Sequence, residues 1–552
     1  MVSTVTTQEG LNKILQAGSD GVQTIYQRFR KQFPDQQMKE ELSDDENLNG
    51  ADFQVTLNGE NRIFFQAKVA KQKFGETYAN FIYESKRDGS RNYQNVLLAD
   101  HARKNKTAAY YVIYDEKAVR WTVAGSVVAN IMHIIIIGAG PAGLAATLAL
   151  SQTTIQGSPP RITILELRPK VETLGGTILL TPLALRYLDA LGVGSRLRKL
   201  GMPVRGIDVV ALRTGRTLGQ MLPGTDALRV MRHQLVQCMA DAVAELPKDL
   251  VTLRYGARVT DIQQVDDQGD DEGTVRVDLR FDADESQESI SCDILLGCDG
   301  IHSFVRTTVV DCERKKTYSG RAIAYGYVNC DSPGNIYVKT SDGKPIIRDS
   351  TMIQGQHGSF FITYFEPSRE RVYTLALMPM AENKDAREGW KALGEDKLTL
   401  KLDIAARFEG GSIKGLDTII NESDWYFYPV YMLPPEGRWS KGRVLLLGDA
   451  AHAMPPQGES TGIAIEDGVL FAHVLGEGIL KGVPYVMKSY EALRRGDIKK
   501  LHAETMFRWN AGSSLSWLWS IAVEFTTWVY LLLANYRQED YFKRDVRSFK
   551  LP

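Results

Sequence analysis

Cysteine is scarce in this chain of 552 residues: there are five, an odd number, with no CxxC pair. That argues against a disulfide framework or a cysteine-built zinc site and points to a reducing compartment. Cys292 and Cys298 fall in or near an apolar strand, where small buried thiols are common. Net charge is almost absent, at −1, so no global field favours nucleic acid or an anionic membrane. The N-terminus, MVSTVTTQEG, has no apolar signal-peptide core. Internal repeats are missing, and the only low-complexity patch is the acidic QQVDDQGDDEG near Asp266, which suits a surface hairpin loop. No apolar run of spanning length is free of charge. SLSWLWSIAVEFTTWVYLLLAN, from Ser514, is long enough but carries Glu524, and a mid-span charge costs about 2.5–3.5 kcal/mol even on a lenient insertion scale. One or two amphipathic helices packed on the body are expected there, with membrane-surface contact as the alternative. The expected location is cytoplasmic, with peripheral membrane association left open.

What is present is globular: 43% hydrophobic and 24% charged residues, with length for two to four cores. HIIIIGAGPAGLAATLAL, from His133, holds Gly138, Gly140 and Gly143 in GxGxxG spacing. Its isoleucine run cannot alternate in and out, so the strand is buried on both faces, as in a parallel sheet. Gly138 permits the tight turn, Gly140 lets backbone approach a pyrophosphate, and Gly143 lets the helix pack close to the strand. The helix N-terminus offers free N–H groups and a positive dipole end. A second strand, RITILELR, ends in Glu166, about twenty residues on, where an acid accepts hydrogen bonds from a ribose. These features predict dinucleotide binding.

Two later motifs bear on which dinucleotide. DILLGCDGIHSFVR carries Asp299-Gly300, and GRVLLLGDAAHAMPPQGESTGIAIEDGVLFAHVL carries Gly448-Asp449. Each puts an Asp at the C-terminal end of an apolar strand, where open α/β sheets bind ligands. The three motifs in this order resemble the aromatic-hydroxylase family of flavoprotein monooxygenases, the para-hydroxybenzoate and salicylate hydroxylase type, over about residues 132–480.

The resemblance implies an α/β fold: a Rossmann-like FAD-binding domain, a β-sheet substrate domain and a helical C-terminus. It implies FAD as cofactor, with Glu166 on the adenosine ribose and Gly176 where backbone comes close to the cofactor. Arg232, in RVMRHQL, would contact the flavin side of FAD. Asp299 belongs to a motif associated with FAD and NAD(P)H, and Asp449 would bind the ribityl chain. Gly462 begins a helix aimed at the flavin pyrimidine edge; a GQG-like run is usual there, whereas this chain has GESTG, with Glu459. A helix N-terminus so aimed would stabilise the anionic reduced flavin. NAD(P)H would reduce the flavin and O2 would give a C4a-hydroperoxide, which must be kept from water. Pro456, beside Pro455, would wall the reacting centre. Arg306 matches a position with an active-site role or one that holds the Asp299 loop, and His452 reads as structural. No second GxGxxG exists, so NAD(P)H is expected to dock transiently as cosubstrate. No CxxxxC pair exists either, which excludes a two-dinucleotide disulfide reductase. No metal site is expected.

Substrate-domain strands are expected at about residues 205–230 and 320–432, with Tyr325, Tyr327, Phe361, Tyr364, Trp425 and Phe427 as pocket or core. No arginine cluster demands a small carboxylated substrate, and the aromatics suit a bulky aromatic or polycyclic one, as in secondary metabolism. Residues 491–552 read as a helical, aromatic-rich segment.

Residues 1–131 read as a separate small α/β domain. NGADFQVTLNGENRIFFQAK places Asp52 on one strand and Gln66-Ala67-Lys68 at the end of another, with a turn at Asn58-Gly59. This resembles the metal-binding core of restriction-endonuclease-like domains, with Gln66 replacing the usual Glu and so removing a metal-binding charge. Glu41 or Glu46 and Gln94 add to the likeness. Met132 stands where a self-sufficient flavin module begins, so the chain reads as a fusion.

The expected function is therefore a single-component FAD-dependent monooxygenase that hydroxylates or epoxidises an organic substrate. The alternatives are a DNA-directed nuclease-like protein with a fused redox domain, and a flavoprotein that binds partners without catalysis.

Overall fold

The computed structural model describes residues 132–155, 158–173, 175–265, 273–330, 349–382, 391, 394–409, 411–510, 517–534 and 542–552, and the backbone of nine strands between residues 38 and 123. The chain divides into two compact units, one of residues 1–132 with 156–159, the other of 133–155 with 160–552.

In the first unit, strands Met38–Leu42, Phe53–Leu57, Asn61–Val69, Ala108–Tyr114 and Val119–Val123 lie side by side in that order. Neighbours are antiparallel except Asn61–Val69 with Ala108–Tyr114, which run parallel. Leu57 pairs with Asn61 across the two strands; the expected turn at Asn58-Gly59 lies outside the described residues. Two short antiparallel pairs lie between these strands, Lys71–Lys73 with Glu76–Tyr78 and Ile82–Glu84 with Arg91–Tyr93. The side chains of Asp52, Gln66, Lys68, Glu41, Glu46 and Gln94, which carry the nuclease-like reading, lie outside the described residues.

The second unit opens with β1 (His133–Ile137), a turn, and α1 (Pro141–Ser151). Pro141 takes the first helical position, where its missing N–H costs nothing. β1 pairs parallel with β2 (Arg161–Glu166) on one side and Ile294–Gly297 on the other. All five residues of β1 are buried, as a strand covered by helices on both faces requires. Val251–Tyr255 extends the sheet beyond β2, and Val444–Leu446 extends it beyond Ile294–Gly297, both parallel. An antiparallel edge, Ser440–Lys441, closes it. Val251–Tyr255 leads into a three-stranded antiparallel sheet, in which Ala257–Val265 and Thr274–Phe281 flank the acidic run at Asp266. That run lies outside the described residues.

A small antiparallel sheet follows, of β3 (Thr177–Leu180), β4 (Ala227–Met231) and Met202–Val204, with β4 central. β4 runs straight into α2 (Arg232–Ala244).

The substrate-domain sheet has seven strands, in the order Thr217–Met221, Ile207–Ala211, Ser350–Gly355, Gly358–Tyr364, Arg371–Pro379, Thr317–Asn329 and Tyr426–Met432. Its two faces bury different sets. One holds Ala324, Phe360, Tyr364 and Trp425 against helices Lys397–Phe408 and Leu416–Glu422. The other holds Tyr325, Phe361, Tyr373 and Val430 with Leu179 of β3 and Trp509. The six candidate pocket aromatics therefore separate. Tyr325, Tyr327 and Phe361 face β3, whereas Tyr364, Trp425 and Phe427 fill the helix-covered core. Strand alternation forces this split, because adjacent residues point to opposite faces.

Three helices complete the unit: α3 (Ser460–Gly478), α4 (Val483–Asn510) and α5 (Trp517–Ala534). α3 is buried along most of its length, even at Glu466 and Asp467. On α5, Glu524 turns inward to pair with Arg213 at 2.8 Å, and Leu531 packs on Gly219. Among the described residues no helix is long and apolar enough to cross a membrane.

Candidate active site

The turn after β1 shows why three glycines are needed. Gly138 has φ +104°, and a Cβ there would lie 2.5 Å from the carbonyl oxygen of Cys298. A Cβ on Gly143 would lie 2.0 Å from the carbonyl oxygen of Gly138. Nothing stands within 4 Å of the place where a Gly140 Cβ would go. Two glycines thus serve the protein's own packing, and the third faces open space.

That space is a groove of about 250 Å³ lined by Gly140, Glu166, Arg168, Thr173, Arg232 and Tyr255, among others. It brings together three residues singled out in the sequence at distant positions. Glu166 Oε2 accepts from the Ala139 backbone N–H at 2.8 Å and Oε1 from that of Arg168 at 3.0 Å. A carboxylate has about four acceptor sites, so capacity remains. Arg232 opens α2, and its backbone N–H donates to the Gly176 carbonyl at 3.1 Å. Gly176 has a packing reason of its own: a Cβ there would lie 2.0 Å from a ring carbon of Tyr373.

Asp299 and Asp449 end neighbouring strands, as expected. Asp299 Oδ2 accepts from the backbone N–H groups of Phe304 at 2.6 Å and Val305 at 3.1 Å. Burial pushes its carboxyl up. Burial also raises that of Asp449, against the pull of the Arg232 guanidinium. No hydrogen bond from the described residues reaches the Asp449 carboxylate. Pro455 is buried and Pro456 exposed in the turn that enters α3. Gly462, in the first turn of α3, lets that helix approach Ala184, whose Cβ would be 3.1 Å from an added Cβ. The departure at Glu459 has a local account: its carboxylate forms a paired hydrogen bond with Arg508 of α4, at 3.1 and 2.7 Å.

Arg306 is 3% exposed. It donates to the carbonyls of Ala450 at 3.1 Å and Ile301 at 2.7 Å, so it ties the Asp299 loop to the Asp449 turn. No carboxylate pairs with it among the described residues.

Sequence reasoning missed the support beneath this turn. Asp467 Oδ2 accepts from the Gly448 backbone N–H at 2.8 Å and lies 2.8 Å from His452 Nε2. Arg494 donates to Asp467 at 2.6 Å and to Glu466 at 2.5 Å, with all three side chains at 0–1% exposure. Burial pushes the Asp467 carboxyl up, but Arg494 and His452 outweigh it and hold it down at about 2. Arg544, near the C-terminus, donates to Glu466 at 2.6 Å and to Asp497 at 2.6 Å. The signal was present: two adjacent acids interrupt the apolar run GIAIEDGVLFAHVL.

A second omission lies on the face toward β3. Arg229 and Arg321 are 6% and 7% exposed, over the rings of Phe361 at 5.0 Å and Trp509 at 5.5 Å. No single segment of sequence shows them together.

Whether the site suits FAD can be judged from its unmet polar atoms. Thr173 Oγ1, Thr177 Oγ1, Asp299 Oδ1 and Gln457 Oε1 are buried without partners. All four lie on segments that carry the groove or the two Asp turns, and buried polar groups ordinarily have partners. With the space at Gly140, the free carboxylate of Asp449 and the Arg232 cation, these residues fit a long polyhydroxylated diphosphate. Among the described residues no group of three or more His, Cys, Asp or Glu could hold a metal ion.

Comparison with known proteins agrees. The family described as "FAD binding domain" matches residues 132–388 and 436–505. A family of unknown function, DUF6615, matches residues 24–147. The phenazine 1,6-dicarboxylic acid hydroxylase PhzS of Lysobacter antibioticus is 28% identical over 384 residues, 66% of this chain and 86% of that protein. Among solved structures, HpxO of Klebsiella pneumoniae complexed with FAD and uric acid aligns with TM-score 0.56 and 24% identity, over 72% of this chain and 92% of that one. A salicylate hydroxylase substrate complex aligns with TM-score 0.59 and 18% identity, over 76% and 97%. The family match spans more than half of the chain and coincides with the groove and both Asp turns, so the chain belongs to the FAD binding domain family; with its relatives named as FAD-dependent monooxygenases and hydroxylases, it is an FAD-dependent monooxygenase.

Proposed function

We propose that this protein is a single-component monooxygenase that uses NAD(P)H and O2 to hydroxylate or epoxidise an aromatic or polycyclic substrate. The observation that carries the reading is the convergence of Gly140, Glu166 and Arg232 on one groove. The named relatives, hydroxylases of phenazine dicarboxylic acid, urate and salicylate, support the substrate class.

FAD, reduced by NAD(P)H and reoxidised by O2, supplies the oxygen-transferring chemistry when bound. The chain's own residues do the rest. Gly138, Gly140 and Gly143 shape the diphosphate turn, Glu166 holds the adenosine ribose, and Arg232 neutralises charge on the flavin side. Asp449 binds the ribityl chain, and Asp299 caps its loop through backbone N–H groups while its free oxygen faces the ligand. Gly176 supplies close backbone beside Tyr373. Gly462 sets the α3 N-terminus, whose dipole favours negative charge at the flavin edge. Pro456 limits water at the reacting face, and Arg306 positions the two loops through carbonyls. Product profiling tests this: FAD-loaded protein, NADPH, 18O2 and an aromatic and polycyclic library. One labelled oxygen in product, coupled to NADPH consumption, is expected; substrate-stimulated oxidation giving only hydrogen peroxide across the library would defeat the reading.

We read residues 1–131 and 132–552 as separate modules, with the nuclease-like chemistry of the first weakened by Gln66. The division of the chain at Met132 supports this. A chain beginning at Met132 should purify with FAD bound; its failure to retain flavin would tie the modules together.

The location assigned is cytoplasmic, with α5 resting on a membrane surface. Ile521, Phe525, Trp528 and Leu532 recur at helical spacing on its outer side and are 40%, 62%, 46% and 54% exposed. Sedimentation with phosphatidylserine-containing vesicles should carry the protein down, and a Phe525→Glu, Trp528→Glu variant should stay in solution. Wild-type protein that stays in solution would remove the membrane contact.

A further inference from the structure

Glu459 stands at the N-cap of α3, yet its side chain caps nothing there. A short polar side chain at that position ordinarily satisfies one of the open N–H groups of the first turn. Here the carboxylate turns away and accepts from Arg508 Nη1 at 3.1 Å and Nη2 at 2.7 Å. The two side chains are 25% and 28% exposed, so solvent screens the pair only in part.

Arg508 is delivered to this place by an anchored helix. Thr505, three residues back on α4, is 2% exposed, and its hydroxyl lies 3.5 Å from Arg508 Nη2. Trp509, the next residue, is 1% exposed in the aromatic face of the substrate sheet, and its indole N–H donates to the Ser319 carbonyl at 3.2 Å. Farther back on α4, Arg494 donates to the Ile463 carbonyl of α3 at 3.0 Å. Burial would push the Arg508 guanidinium down, but Glu459 outweighs it and holds it up.

The pair decides the charge at this end of α3. The open N–H groups of a helix N-terminus amount to about half a positive charge. A lone carboxylate on the same turn would more than cancel that. Pairing with a guanidinium brings the two side chains to zero together and leaves the helix end positive. Glu466 and Asp467, farther along α3, are likewise answered by arginines from outside it, Arg494 and Arg544.

We propose that Arg508 is a positioning residue that acts through Glu459. It neutralises that carboxylate, so that the α3 N-terminus stays positive toward the anionic reduced flavin and holds the flavin's reduction potential up. The inference rests on the reading that this end of α3 faces the flavin, and it assigns part of the cofactor's tuning to a pair outside the dinucleotide motifs. It also gives a reason for an acid at a helix entry that it does not cap.

The test is the two-electron midpoint potential of FAD bound to the full-length protein, measured by dye equilibration, with thermal melting alongside; neither needs substrate or turnover. Arg508→Gln leaves Glu459 unpaired. Binding of reduced FAD should then weaken about 10-fold more than binding of oxidised FAD, a fall in potential of about 30 mV. Glu459→Gln leaves the cation and should move the potential upward. The double change Glu459→Gln, Arg508→Gln should return it close to the parent value, although it removes the same charge-paired hydrogen bonds. Arg508→Lys keeps the charge without the paired geometry and should recover most of the parent potential. A purely structural bond gives a different pattern, with lower melting temperatures and an unmoved potential in every variant. That pattern, a rise in potential for Arg508→Gln, or a double variant no closer to the parent than Arg508→Gln, would each overturn the proposal. Should Arg508→Gln fail to fold, Glu459→Gln against the double variant decides: a higher potential in the first is expected, and equal potentials overturn the proposal. Absence of labelled oxygen in products, with these shifts intact, would instead overturn the monooxygenase reading alone.

Discussion

Gly140→Val is expected to fold like the parent and to purify without FAD. The position has nothing within 4 Å of an added Cβ, so apo-protein packing is unaffected. In the function proposed above, the same open space is where the diphosphate approaches backbone, and a branched side chain fills it. A loss of FAD affinity of at least 100-fold follows, equivalent to about 2.7 kcal/mol. Gly143→Ala is the contrast. Its Cβ would lie 2.0 Å from the Gly138 carbonyl oxygen, a backbone atom that cannot yield without moving β1 against α1. That variant should lose folded protein, not merely flavin. Circular dichroism, thermal melting and the flavin absorbance of purified protein separate the two outcomes. A yellow Gly140→Val protein would displace the diphosphate from this turn.

Arg494→Met is expected to cost about 3–5 kcal/mol of stability, the range for breaking one side of a buried ion pair. It strands Glu466 and Asp467, both 0% exposed, and leaves Arg544 and His452 as their remaining basic partners among the described residues. Because Asp467 also holds the Gly448 backbone N–H, FAD should be released at lower temperature as well. The double change Arg494→Met, Asp467→Asn should lose less than the two single losses added, since one of the two stranded charges is gone.

The pH dependence follows from the same residues. In the parent, Asp467 is depressed to about 2, below an unfolded value of about 3.9. Its contribution is present above the unfolded value and is lost as pH falls through the folded one. Without Arg494 burial dominates and the carboxyl moves up. The variant's deficit should then be largest at neutral pH and narrow on acidification. Denaturant melts of both proteins at neutral and acid pH measure this; a deficit independent of pH would mean that Asp467 is not held ionised by Arg494.

Much of the flavin unit is readable before folding is considered. The run of isoleucines in β1 has no polar alternation, so burial on both faces was legible, and every residue of the strand is buried. The glycine spacing, Glu166 and the two Asp turns are local signals, each a strand end followed by a turn. The pocket aromatics were not separable, because period-two alternation assigns faces only once strand limits and register are known. Three of the six accordingly belong to the helix-covered core. The place of Arg306 beside the Asp299 turn was legible, but its partners were not, since carbonyls leave no trace in side-chain identity.

Sequence alone determined that this chain binds a dinucleotide, that a glycine turn follows the buried strand His133–Ile137, and which Asp residues end the strands beside it. These rest on interactions between residues close along the chain, where spacing fixes geometry. Only the tertiary structure decided that Asp467 and Arg494, 27 residues apart, support the Gly448 turn. It also decided that Glu459 is held by Arg508 and that Arg229 meets Phe361. Pairing of buried charges depends on which helix faces and strand registers meet in space, and those follow from the packing of the whole unit.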